Sequence, residues 1–130
     1  FEIPTHLIIE PVSACNIRCI MCFQVDESFS KNKNFMGNMD FDLFKKVVDE
    51  ANLLGVGAIT IASRGEPTLH KNLKNMLKYL ETKKNIFEIK LNTNGTLLTE
   101  ELSHEIFIHH IKTLDNYTAI EFLDMIFQRG

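Results

Sequence analysis

What this 130-residue sequence lacks already narrows its class. No apolar run approaches the roughly 20 residues of a membrane-spanning helix, so a membrane protein is not expected. No Lys/Arg-led apolar leader with a small-residue cleavage site opens the chain, so nothing supports secretion. Basic charge is not in excess: 14 Lys and Arg stand against 17 Asp and Glu, a net of −3. Nucleic acid, whose phosphates demand a basic face, is therefore not an expected partner. Low-complexity tracts and internal boundaries are missing, as is an initiator Met before Phe1. The expectation is one domain over residues 1–130, itself part of a longer protein. What is there suits a packed core, with 45% hydrophobic and 24% charged side chains.

Cysteine is scarce but concentrated. The three residues, Cys15, Cys19 and Cys22, are an odd number without distant partners, which suits a disulfide framework badly. Thiols gathered in one stretch point to reduced thiolates on a metal in a reducing compartment, hence a cytoplasmic protein. Their Cys-x3-Cys-x2-Cys spacing leaves three readings open. They could be small buried side chains on one helix face, although Pro11 and a preceding strand oppose that. They could hold zinc with His6 or His70 as fourth ligand, although the paired Cys-x2-Cys knuckles are missing. Or they could hold an iron–sulfur cluster. Most four-iron clusters take four cysteines, and three leave one iron open to a substrate or cofactor.

Hydrophobic patterning places these cysteines in a fold. Residues 5–9 read as a strand ended by Pro11, so the cysteines lie on the loop that leaves it. Residues 28–38, rich in Ser, Lys and Asn, read as an irregular connection. Asp40 caps a helix whose stripe is Phe41, Phe44, Val47, Val48 and Ala51, with Gly55 after its end. Residues 58–62 form a β-rich run, and residues 63–67 the loop after it. A helix over residues 71–81 turns Leu73, Met76, Leu77 and Leu80 inward and leaves Lys71, Lys74 and Lys78 as a solvated face. A third strand over residues 87–91 runs into Asn92-Thr93-Asn94-Gly95, and Thr99 opens another helix. A fourth strand is expected over residues 109–114 and a last helix from Thr118. Alternating β and α elements argue for parallel strands with right-handed helical crossovers. Chemistry in such folds sits on loops at the carboxyl ends of the strands, where the cysteines, residues 64–67, residues 92–95 and Asp115 all fall.

The run Glu10-Pro11-Val12-Ser13-Ala14-Cys15-Asn16-Ile17-Arg18-Cys19-Ile20-Met21-Cys22-Phe23 resembles the cluster loop of radical S-adenosylmethionine (SAM) enzymes. It is most similar to the branch whose members often carry a C-terminal SPASM auxiliary-cluster domain. Arg64-Gly65-Glu66-Pro67 resembles the family's Gly-Gly-Glu-Pro loop, and Asn92-Thr93-Asn94-Gly95 its Thr-Asn-Gly turn. Thr113-Leu114-Asp115-Asn116 more loosely resembles its Ser-Ile-Asp-Gly stretch. The departures are Met21 where an aromatic residue is common, Arg64 for the first glycine, and Thr113 and Asn116 for Ser and Gly.

The resemblance implies an α/β fold, a partial (β/α) barrel of about four βα units, roughly the N-terminal two-thirds of the family's core. It implies a [4Fe-4S] cluster on Cys15, Cys19 and Cys22, with SAM chelating the open iron. Reduced SAM cleavage would yield a 5′-deoxyadenosyl radical that abstracts hydrogen from a peptide, a protein or a small metabolite. The residues expected against SAM are Met21, Phe23, Gly65, Glu66, Pro67, Asn94 and Asp115. Glu66 is expected on its ammonium. Arg64 is expected on the SAM carboxylate, on Glu66 or in solvent. A reductant such as flavodoxin or ferredoxin is the implied partner. With the family's fifth and sixth strands absent, residues 1–130 on their own are expected to be inactive. The rival reading from another class is a non-catalytic iron–sulfur or zinc module.

Overall fold

A computed structural model of the chain describes residues 4–62 and 64–110. Three four-residue strands, β1 (His6–Ile9), β2 (Ala58–Ile61) and β3 (Glu88–Leu91), make a parallel sheet in the order β1-β2-β3. Register is level at both ends: His6 pairs with Ala58 and Ala58 with Glu88, while Ile9 pairs with Ile61 and Ile61 with Leu91. The loops leaving the three strands therefore emerge side by side.

Among the described residues four α-helices accompany the sheet: α1 (Glu27–Ser30), α2 (Phe41–Leu54), α3 (Leu73–Glu81) and α4 (Glu100–His110). Helix α2 forms as its sequence dictates. The Asp40 carboxylate accepts the free N–H groups of Asp42 and Leu43, and Gly55 ends the helix at φ 80°, which costs a glycine little. Thr99 caps α4 in the same manner, its hydroxyl accepting from Leu102 N–H. Leu7, Ile9, Ile59, Ile61, Ile89 and Leu91 occupy alternate strand positions and pack on Phe44 and Val48 of α2 and Met76, Leu77 and Leu80 of α3. Those among them that are fully buried, such as Ile59, Ile61, Met76, Leu77 and Leu80, each stabilise the fold by about 1.5–3 kcal/mol. The alternate set faces the other way, and there Ile8, Glu88 and Lys90 are exposed. Among the described residues this gives three βα units of the expected partial barrel.

The structure departs from the sequence reading in three places. Residues 28–30 of the expected irregular connection belong to helix α1, because Asp26 caps it by accepting from Ser28 N–H. Lys74 and Lys78 are not simply solvated: they pair with Glu101 (2.6 Å) and Glu105 (3.3 Å), which ties α3 to α4. His109 and His110 continue helix α4 and are not strand. Asp115, the rest of the expected fourth strand and the Thr118 helix lie outside the described residues. Among those residues, no helix is long and apolar enough to cross a membrane.

The helix-facing side of the sheet should dominate stability. Leu77→Ala, at a fully buried position, should cost about 2–5 kcal/mol. Leu53→Ala, at a position 84% exposed on the same helical layer, should change stability by less than about 0.5 kcal/mol. Urea unfolding of both variants checks the contrast, and equal losses would contradict this packing.

Candidate metal centre

The loop after β1 is fastened at its base before the cysteines begin. Val12 bridges Asn38, Ser13 N–H donates to Gly37 O (3.0 Å), and Met39 N–H donates to Pro11 O (2.7 Å). From the other side, Glu66 N–H donates to Ala14 O (2.8 Å). That approach is open only to glycine at the preceding position: a Cβ on Gly65 would collide with the Val12 carbonyl and sit 2.8 Å from Ala14 O. Gln24 is buried just past the cysteines, and its amide nitrogen donates to both Ser13 O and Arg64 O. Loops one and two are thus a single packed unit.

Glu66 joins the third loop to them. Its carboxylate is 2% exposed and accepts four hydrogen bonds. Oε1 accepts from Thr68 N–H (3.1 Å), Thr68 hydroxyl (2.6 Å) and Thr93 hydroxyl (2.6 Å). Oε2 accepts from Asn94 N–H (2.7 Å). Burial pushes the Glu66 carboxyl up, but these donors, Asn94 N–H foremost, outweigh it and hold the group below its ordinary value of 4.5. The carboxylate is therefore ionised at neutral pH although it is buried.

The third loop returns to the cysteines. Asn94 Nδ2 lies 3.7 Å from Cys15 Sγ and 2.9 Å from Asn16 Oδ1. The three loops surround a cavity of about 270 Å³, lined by Cys15, Cys19 and Cys22, by Gly65 and Glu66, and by Asn92, Thr93 and Asn94. A larger cavity of about 400 Å³ lies between β3 and α4, lined mainly by apolar groups such as Leu91, Leu98 and Ile106, and holds no cysteine.

Of the residues expected at a site, the fold brings together the three cysteines, Gly65, Glu66 and Asn94. Pro67 is buried at the start of a short 3-10 turn beside them. Met21 is 92% exposed, and Phe23 packs edge-on to Phe29 with ring centres 4.6 Å apart; neither lines the cavity. Asp115 lies outside the described residues. Arg64 is exposed and does not pair with Glu66. It forms a bidentate pair with Glu10 (both contacts 2.9 Å) and lies 5.9 Å from the Phe29 ring centre, bracing the first two loops from outside. Thr68, Thr93, Glu10, Gln24, Asn16 and Thr96 were not singled out by the sequence. Only Thr68 and Thr93 carried a signal, since each adjoins a motif residue with a hydroxyl able to reach a carboxylate.

The donor set bears on the choice of metal. None of the three thiols is in a disulfide, and all share one cavity wall. Among the described residues, no three His, Cys, Asp or Glu side chains converge on a point that would hold one ion. Three cysteines lining one cavity are soft donors of the kind that hold either an iron–sulfur cluster or zinc. The expected fourth zinc ligands are engaged elsewhere: His6 on the Thr60 hydroxyl (2.7 Å) and His70 on Met39 O (3.0 Å). The residues present fit the cluster.

Comparison with known proteins agrees. A family model described as the Radical SAM superfamily matches residues 9–125. The chain is 38% identical over 102 residues to a tungsten-containing aldehyde ferredoxin oxidoreductase cofactor-modifying protein of Pyrococcus furiosus, covering 78% of this chain and 27% of that protein. It is 33% identical over 98 residues to a GTP 3′,8-cyclase of Desulforamulus reducens, covering 75% and 29%. Among solved structures it is similar to BtrN in complex with AdoMet and 2-DOIA, with TM-score 0.72 and 28% identity, covering 85% of this chain and 44% of that one. The chain thus spans under a third of the length of these curated relatives.

The state of Glu66 is directly measurable. Because its folded value is lowered, its hydrogen bonds contribute stability above pH 4.5, and that contribution is lost as pH falls through the folded value. A carbon-detected NMR titration of the Glu66 carboxyl should give a midpoint below 4.5, and a midpoint above it would contradict this network.

Proposed function

The chain belongs to the radical SAM superfamily, and from that premise we propose that Cys15, Cys19 and Cys22 hold a [4Fe-4S] cluster with one iron left for S-adenosylmethionine. The meeting of all three thiols with Gly65, Glu66 and Asn94 around one cavity carries the reading. When bound and reduced, such a cluster would supply the electron for reductive cleavage of SAM, the source of a radical that would abstract hydrogen from a substrate.

The protein's part is to bind and orient. Gly65 presents backbone without a side chain to the cavity, and Pro67 stiffens the turn behind it. Oε2 of Glu66 accepts one hydrogen bond from the chain where Oε1 accepts three, and so keeps a lone pair for the SAM ammonium. Met21 and Phe23 offer exposed apolar surface on the same loop for the adenine, and Asp115 is the proposed ribose contact. The electron donor is a low-potential carrier of the flavodoxin or ferredoxin kind, and the thiolates require a reducing compartment such as the cytoplasm.

For the substrate, a small metabolite fits better than a peptide. One relative is named for GTP, another for modifying a cofactor, and the solved neighbour was captured with 2-DOIA.

Anaerobic reconstitution and reduction with SAM present test the proposal in the full-length protein. Release of 5′-deoxyadenosine and methionine is expected, and Cys19→Ala should abolish it. On cluster-loaded protein, Glu66→Gln should weaken SAM binding by one to two decades, the equivalent of about 1.5–3 kcal/mol for a charged hydrogen bond. Zinc uptake without iron, or a cluster indifferent to SAM, would favour the non-catalytic module instead.

A further inference from the structure

Asn94 is held more tightly than a turn residue needs to be. Its backbone N–H donates to Glu66 Oε2 (2.7 Å), which fixes the main chain. Its Oδ1 accepts from both the N–H (3.0 Å) and the hydroxyl (2.8 Å) of Thr96. Thr96 Oγ1 in turn accepts from Asn16 Nδ2 (2.7 Å), and Asn16 Oδ1 accepts from Asn94 Nδ2 (2.9 Å), closing a ring of three side chains. The ring fixes which end of the amide faces the cysteine loop. Turned over, the amide would set its oxygen against Asn16 Oδ1 and its nitrogen against the Thr96 N–H. The orientation that satisfies every partner aims the second Nδ2–H at Cys15 Sγ, 3.7 Å away.

We infer that Asn94 is a positioning residue that raises the reduction potential of the cluster by donating an N–H···S hydrogen bond to Cys15, an inference that rests on the proposed cluster. A donor aimed at a ligating sulfur draws off negative charge, and the reduced cluster, which carries one charge more, gains the most. The fixed amide provides this without adding a formal charge to the half-buried sulfur. The same residue also bonds Glu66, so the second loop reaches the cluster sulfur through Asn94.

Two substitutions test this. Asn94→Leu removes the donor at similar volume. Asn94→Asp keeps the acceptor for Thr96 and sets an anion where the donor was. Each protein is reconstituted, assayed for iron and sulfide, and titrated with a dithionite-poised one-electron mediator series while the reduced cluster is followed by paramagnetic resonance. At a fixed potential, Asn94→Leu should shift the reduced-to-oxidised ratio about tenfold toward the oxidised form, which for one electron is about 59 mV. Asn94→Asp should shift it further in the same direction. Loaded variants with the wild-type midpoint would overturn the inference while leaving the cluster reading intact. Loss of the cluster from both variants would also overturn it, because Asn94 would then serve assembly. Wild-type protein that takes up no iron would overturn the inference and the cluster reading together.

Discussion

The site depends on one buried carboxylate. Glu66 N–H is bonded to the cysteine loop at Ala14, its Oε1 to Thr68 and Thr93, and its Oε2 to Asn94. Loops leaving three different strands therefore meet on a single residue. An ionised carboxylate with 2% exposure is costly unless its lone pairs are met, and here four donors meet them. Those donors belong to the segments that must stand opposite the thiols. Stability of the charge and geometry of the cavity are thus the same requirement.

The level sheet register makes this possible. Since Ile9, Ile61 and Leu91 pair across the strands, the following loops start at one height and need few residues to touch. Gly65 then allows a backbone-to-backbone approach that any side chain would block at the Val12 carbonyl. Arg64 stands where the resembled family pattern has its first glycine, and its guanidinium turns away to Glu10 and Phe29. The outer brace leaves the cavity side of the loop to Gly65 and Glu66.

Much of this was legible in the sequence because it is local. Asp40, Gly55 and Thr99 act on neighbours in sequence, and the stripe of Phe44, Val48 and Ala51 follows helical period. The meeting of the cysteine loop with loops 64–67 and 92–95 was legible because strand-end loops of a parallel sheet converge, and the family resemblance singled out Gly65, Glu66 and Asn94 on them. Partners separated by many residues were not. Glu10 with Arg64, Gln24 between Ser13 and Arg64, and the Asn16–Asn94–Thr96 ring depend on loop conformations that no periodicity encodes. The lysines of α3 read as a solvated face because their partners, Glu101 and Glu105, belong to another helix. The helical reach to His110 was missed because two histidines and an isoleucine carry no stop signal.

The proposed cluster has three cysteine ligands for four irons, so its irons would not be equivalent. The most direct measurement is Mössbauer spectroscopy of protein reconstituted with iron-57, before and after SAM is added. One iron site should change its signature when SAM binds, while the irons held by Cys15, Cys19 and Cys22 keep theirs. A cluster whose irons all remain unchanged on saturation with SAM, or a protein that binds no iron, would contradict the account.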